Sequence, residues 1–266
     1  MQLGTIGPFG FDDFVPHEIL GLYAGAGCKV VQAYRNRNRS TTAADIRKVC
    51  DDVGLKIDSL HGHFGDDLDP SSEDETIRTY SVDFYAFEAD FVRALGGDVV
   101  VVHPSPSHIP EGNLEMRYAQ LRKSCDELVK TAERMGVRFA FENMPPYHPV
   151  GSDVARLVKE LAAVGSDKII FLLDTGHAHM TNGIEATMEV AGQHIRYTHV
   201  HDNDGKTDTH MLPYRGTLPW EKLSAGLAKS RYDGVFLLEV FEKAEDLRKL
   251  LNDGWKAKIQ GILSAK

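Results

Sequence analysis

Basic residues are scarce in this chain. Its 266 residues hold 30 Lys and Arg against 39 Asp and Glu, a formal net charge of −9. A nucleic-acid-binding protein ordinarily carries a basic face, so the balance argues against a nucleic-acid partner, although net charge does not exclude a local basic patch. Cysteine is sparse as well. Cys28, Cys50 and Cys125 are odd in number and far apart. They make neither a disulfide framework nor a CxxC zinc pattern, and a reducing cytoplasm fits them. The opening MQLGTIGPFGFDD has no basic start and no long apolar run, so a secretory leader is not expected. No segment approaches about 18 uninterrupted apolar residues, which excludes a membrane-spanning helix. A Gly-rich GxGxxG loop after the first strand-like segment is also missing, as are linkers and low-complexity tracts.

What is present is a regular alternation. LGTIG, KVVQAY, LKIDSLHG, DVVVVHP, VRFAFENMP, KIIFLLDTGH, IRYTHVHD and VFLLEVF read as strands. The nearly unbroken β-branched run in DVVVVHP suits a parallel strand buried on both faces. Between the strands lie amphipathic runs with apolar residues at three- and four-residue spacing, which read as helices. Thr41 or Thr42 is expected to cap the second helix and Ser152 a later one. AEDLRKLLNDGWKAKIQGILS reads as a single closing helix. Eight strand–helix units in strict alternation imply parallel strands. Eight is also the number that closes a (β/α)8 TIM barrel, so the expected fold is α/β, with one domain over residues 1–266. The competing topology is an open doubly wound sheet, which the missing glycine loop disfavours.

Barrel enzymes work at the C-terminal ends of their strands, so the residues at those ends are the candidates for function. The third strand ends in His61, with His63 in the loop beyond, and the fourth ends in His103. The fifth ends in Glu142, and the sixth in Asp174 with His177 three residues on. The seventh runs into HVHDNDGKTDTH, which carries His199, His201, Asp208 and His210, and the eighth ends in Glu239. Taken singly, each has a bland explanation. His103 reads as a hydrogen-bonded rim histidine, and Glu239 as half of a buried ion pair. Taken together, six strands deliver ligand-type side chains to one rim, and no Lys or Arg stands at a matching strand end. Buried carboxylates are costly unless paired with cations or metal, and a divalent cation accepts His and carboxylate ligands together. Residues i and i+2 of a strand face the same way, so His199 and His201 both point inward. His201, nearer the rim, is preferred as a ligand, with His199 a deeper partner, and His61 is preferred over His63.

The motifs HGHFGDDL, VVHP, FENMP, LLDTGH, HVHDND, DTH, PYRGTLPW and LLEVF, in this order and at these strand ends, resemble the xylose isomerase-like TIM-barrel superfamily. That group contains sugar isomerases, ketose 3-epimerases, sugar phosphate isomerase/epimerase proteins and endonuclease IV. The resemblance covers essentially the whole chain. In the sugar enzymes it implies one Mn, Mg, Co or Zn ion held by Glu142, Asp174, His201 and Glu239. Glu142 and Glu239 would also be the acid/base pair around a metal-stabilised enediolate, and His177 would contact the substrate. The chain departs from the ketose 3-epimerases at three places: Thr207 stands for an arginine, His148 for a glutamate and Tyr214 for a glycine.

Endonuclease IV is the rival resemblance. It implies a trinuclear zinc phosphodiesterase acting on abasic DNA, with His61, His103, Glu142, Asp174, His177, His201, Asp208, His210 and Glu239 on its nine ligand positions. The segment YRNRNRS could meet a phosphate through Arg35, Arg37 and Arg39, with Arg215 a further candidate, or be a solvated basic loop. The expected function is a metal-dependent isomerase or epimerase of a sugar or sugar phosphate in the cytoplasm. A lyase or dehydratase sharing the first half-reaction, and a barrel kept only as a binding module, are the other readings. The oligomeric state is left open, a homo-oligomer included.

Overall fold

The computed structural model describes residues 1–107 and 112–265. Eight parallel strands close into a barrel in chain order. They are β1 (Gln2–Phe9), β2 (Val30–Arg35), β3 (Lys56–His61), β4 (Val99–Val102), β5 (Arg138–Glu142), β6 (Ile169–Asp174), β7 (Ile195–Val200) and β8 (Val235–Leu238). Each pairs with its neighbour, and β8 returns to β1 through Gly4↔Leu237 and Thr5↔Leu238. The expected (β/α)8 barrel is what forms, not the open sheet.

Helices follow each strand: α1 (Pro16–Ala26), α2 (Ala43–Asp52), α3 (Glu75–Leu95), α4 (Leu114–Met135) and α5 (Val154–Val164) over the first five. The sixth strand is followed by α6 (Thr175–Met180) and α7 (Ile184–Ala191), the seventh by α8 (Trp220–Ser230), and the eighth by α9 (Ala244–Leu250) and α10 (Asp253–Leu263). Helix α2 begins at Thr42, whose hydroxyl accepts from the Asp45 amide while the Asp45 carboxylate accepts from the Thr42 amide. Helix α5 is capped by Asp153, not by Ser152, because the Asp153 carboxylate accepts from the Arg156 amide at 3.0 Å. The closing helix is two helices. The Asn252 side chain accepts from the Trp255 amide at 3.0 Å, and this local cap starts α10 where the apolar periodicity alone would carry one helix through. Likewise the segment TGH continues no strand. Asp174 ends β6, and its carboxylate accepts from the His177 amide at 2.6 Å, which starts α6.

The core has two layers because strand side chains alternate between faces. Val100, Val102, Phe139, Phe141, Val200, Phe236 and Leu238 face outward and pack in the large cluster under the helices. Ile6, Val99, Val101, Ala140, Ile170, Leu172, Tyr197 and Leu237 form the smaller cluster that fills the barrel. Counting on in steps of two from these inward residues reaches His103, Glu142, Asp174, His199, His201 and Glu239. The candidate residues are therefore the uppermost ring of the barrel interior, set there by the period of the strands.

Candidate metal and active centre

The ring closes on itself. Carboxylate oxygens of Glu142, Asp174 and Glu239 and a ring nitrogen of His199 all lie within 4.8 Å of one another. His199 Nδ1 is 2.9 Å from Glu142 Oε1 and 3.1 Å from Glu239 Oε2. The structure thus puts His199 between both glutamates. His201, expected beside them, lies one step out, with Nε2 3.1 Å from Asp174 Oδ1. It groups instead with His177, Asp208 and His210, within 4.8 Å of one another. Two further groups are His61, His103 and Glu142, and His61, His199 and Glu239. All nine residues expected at the rim are brought together, and His199 joins them.

The supports are local. Asn143, which the sequence offered only as part of FENMP, clamps two strand ends. It donates to the Asp174 carbonyl at 3.0 Å and accepts from the Asp174 amide at 2.8 Å, and its own carbonyl is 2.8 Å from His177 Nδ1. In the stretch HVHDNDGKTDTH the acidic residues divide by role. Asp202 accepts from the Leu218 amide and from Trp220 Nε1, both at 3.0 Å. Asn203 donates to the Gly176 carbonyl, and Asp204 accepts from the Lys206 and Thr207 amides. Asp202, Asn203 and Asp204 shape the loop, which leaves Asp208 and His210 to face the centre. His210 takes a left-handed backbone (φ 46°) to do so, with Nδ1 3.1 Å from the Glu239 carbonyl.

Gly176 is required by contact. A Cβ there would stand 1.9 Å from His201 Cε1. Gly176→Ala is therefore expected to push His201 out of place and cost roughly 1–3 kcal/mol. Thermal unfolding and metal content, measured together, check this. An unchanged melting temperature with full metal content would show that the start of α6 can move aside.

Burial opposes charge on Glu142, but His199 and His103 outweigh it and hold the carboxyl well below its usual range. Burial likewise opposes charge on Glu239, and His199 and His210 hold it ionised. His199 is driven well above the ordinary histidine value, because Glu239 and Glu142 overcome its desolvation. Desolvation is overcome at two more histidines. Asp174 and Asp208 raise His177 to about 10, and Asp208 and Glu239 raise His210 to about 9. His61 goes the other way: burial lowers it to about 4 despite Glu239.

These shifts predict a pH profile for the metal-free protein. His177 and His210 have raised folded-state values, so their contribution is full below about pH 6.5 and is lost as pH rises through about 9 and 10. Thermal unfolding in chelator should show a melting temperature falling by roughly 5 °C or more between pH 6.5 and 10. A flat profile would rule out these charged pairs.

Among the described residues, six buried atoms of the centre have no partner in hydrogen-bond geometry: Glu142 Oε2, Asp174 Oδ2, Asp208 Oδ1, Glu239 Oε2, His199 Nε2 and His201 Nδ1. Buried polar atoms are normally satisfied, so a cluster of unsatisfied oxygens and imidazole nitrogens points to a further group there. Hard carboxylate and borderline imidazole donors fit a divalent cation.

A cavity of about 260 Å³ opens above the ring. His61, His103, Glu142, His177, Asp208, His210 and Glu239 form its polar floor. The arginines raised as phosphate candidates lie elsewhere or are engaged. Arg35 is 2.7 Å from Glu88, Arg37 pairs with Asp67, and Arg39 is 2.8 Å from Asp12. Arg215 is exposed and does not line the cavity.

Fold and site together define a (β/α)8-barrel protein with a carboxylate–imidazole centre at the C-terminal rim of its strands. The chain belongs to the xylose isomerase-like TIM barrel family, whose pattern matches residues 20–260. It is 29% identical over 192 residues to an uncharacterized protein of Methanocaldococcus jannaschii, covering 68% of this chain and 63% of that one. It is 22% identical over 170 residues to fructoselysine 3-epimerase of Escherichia coli O157:H7, covering 63% of this chain and 61% of that one. The chain thus spans less than two thirds of the length of these two relatives. A D-tagatose 3-epimerase-like protein of known structure shares the fold, with a TM-score of 0.79, 22% identity and 98% of each chain covered. Among the described residues no helix is long and apolar enough to cross a membrane.

Proposed function

We propose that the protein is a divalent-metal-dependent isomerase or epimerase of a sugar or closely related polyhydroxy carbonyl compound. One observation carries the reading. Glu142 and Glu239, both held ionised, line a cavity sized for a small molecule and converge with Asp174 and His199, which are buried and do not line it. The chemistry needs a base to remove a proton from the carbon beside a carbonyl, and an acid to return one. Glu142 and Glu239, both lining the cavity, take these parts. His199 Nδ1 lies between the two, hydrogen-bonded to Glu142 Oε1 and 3.1 Å from Glu239 Oε2. Glu142, Asp174 and Glu239, with His201 or His199 as the nitrogen donor, would hold the cation. When bound, the cation polarises the substrate carbonyl and orients its oxygens. His177 lines the cavity and is placed to meet a substrate hydroxyl. The similarity to fructoselysine 3-epimerase and to the D-tagatose 3-epimerase-like structure supports the same reading.

The test is a screen of ketoses in D2O with Mn, Co, Mg or Zn supplied. Deuterium should enter the substrate carbon beside the carbonyl, and an epimer or isomer should accumulate. A screen with neither signal would remove the reading.

A second reading has its own support, the four overlapping ligand groups at the rim, which together hold ten residues. More His and carboxylate ligands than one ion takes would suit a trinuclear zinc phosphodiesterase acting on abasic DNA. Elemental analysis separates the two: about one ion per chain favours the sugar enzyme, whereas three zincs with cleavage of an abasic duplex favours the phosphodiesterase.

A further inference from the structure

The backbone ladder of the barrel stops short of the centre. Between β5 and β6 the last paired residues are Glu142 and Leu172, and between β6 and β7 they are Asp174 and His199. Asp174 stands two residues beyond Leu172, and His201 two beyond His199. Both are fully buried, so their backbone N–H and C=O groups need partners that the ladder does not supply.

In each case one side chain from the preceding strand end supplies both. The Asn143 side-chain amide accepts from the Asp174 N–H at 2.8 Å and donates to the Asp174 carbonyl at 3.0 Å. The Thr175 hydroxyl accepts from the His201 N–H at 3.2 Å and donates to the His201 carbonyl at 3.1 Å. A hydroxyl has one proton to give and two lone pairs, so Thr175 serves both groups at once. Asn143 directly follows Glu142, and Thr175 directly follows Asp174. Two carboxylates of the centre are thus each followed by the residue that pins the next candidate ligand. Asn203 Nδ2, donating to the Gly176 carbonyl at 3.0 Å, closes the same seam beyond His201. With both backbones pinned, His201 Nε2 rests 3.1 Å from Asp174 Oδ1. Asn143 and Thr175 do not line the cavity, so neither meets a substrate there.

We infer that Thr175, together with Asn143, is a positioning residue for the metal centre. Its hydroxyl stands in for the missing ladder bonds at His201 and sets the His201 side chain against that of Asp174. The inference rests on the metal-dependent reading above and adds which residues hold the ligands in register. Metal–ligand distances must match to within about 0.2 Å, so freeing one strand end should show first in metal affinity.

Three variants test it. Thr175→Val keeps the shape and removes the hydroxyl, Thr175→Ala removes it without a substitute methyl, and Thr175→Ser restores it. Affinity for Mn or Zn is measured on chelator-stripped protein by competition with a metal-sensitive dye, beside far-UV circular dichroism. Thr175→Val and Thr175→Ala should raise Kd about 10- to 100-fold, the usual effect of losing a support behind a ligand, while Thr175→Ser stays within about 3-fold of the parent. In the metal-free protein the His201 amide should exchange with solvent at least about 10-fold faster in the Val and Ala variants, with the Val101 amide unchanged. For a ketose that the metal-loaded enzyme turns over, the loss should fall on kcat and leave KM within about twofold. If Thr175→Val does not fold, the Ala and Ser variants decide alone. Unchanged metal affinity without the hydroxyl, or a Ser variant as weak as the other two, would overturn the inference and leave the metal reading standing. Parent protein that binds neither ion would remove the metal reading, and the inference with it.

Discussion

Glu239→Gln should lower turnover of a ketose substrate by roughly 10²- to 10⁴-fold, the usual worth of a positioned acid or base. Glutamine keeps the size of the side chain and one oxygen, so the barrel should remain folded. What is lost is the ability to take or give a proton at a position buried to 3% exposure. The amide also loses its charge, and His199 and His210 each lose a carboxylate partner. The measurement is solvent-deuterium exchange into substrate, read beside thermal unfolding. Retained exchange in a folded variant would take Glu239 out of proton transfer and leave it as a ligand alone. The paired change Glu142→Gln should behave alike, and the double variant should lose little more than either, because two residues that act as one acid/base unit are not additive.

Stripping the protein with chelator should reduce turnover by at least 10³-fold, since polarising a carbonyl contributes several kcal/mol and each 1.36 kcal/mol is tenfold. Adding back Mn, Co, Mg or Zn should restore it, and the ion that restores most identifies the site's preference. Binding should tighten as pH rises, because imidazoles must shed protons to become ligands. His199, held protonated by Glu239 and Glu142, sets that dependence. Activity unaffected by chelation, with no metal found by elemental analysis, would mean that the rim is a self-neutralising network of imidazolium and carboxylate. The His199 bridge between the two glutamates shows how such a network would close.

Much of this centre was legible because strand periodicity is local. The step of two that buries Val101, Ala140 and Leu172 inside the barrel also carries His103, Glu142 and Asp174 to its upper ring. A residue's face follows from its place in its own strand, without knowledge of its neighbours. The same locality explains the misreadings. Asn252 and Asp174 each have a side chain that caps the next amides, and such a cap breaks a helix or ends a strand that hydrophobic spacing would continue. Ser152 and Asp153 are both competent caps, and only the backbone path chose the second.

The sequence by itself determined the eight alternating units, the single barrel and the set of rim residues, because all of these follow from short-range pattern. Only the tertiary structure decided what the rim residues do to one another. His199 and Glu142 are 57 positions apart, yet closure of the barrel puts them 2.9 Å from each other. That closure made His199 the bridge between the glutamates and placed His201 with His177, Asp208 and His210. It also spent Arg35, Arg37 and Arg39 on carboxylates brought from other segments, and left the cavity without a cation among its described lining residues. Contacts of this kind depend on barrel radius, strand register and side-chain reach, and none of these is carried by the pattern of any one segment.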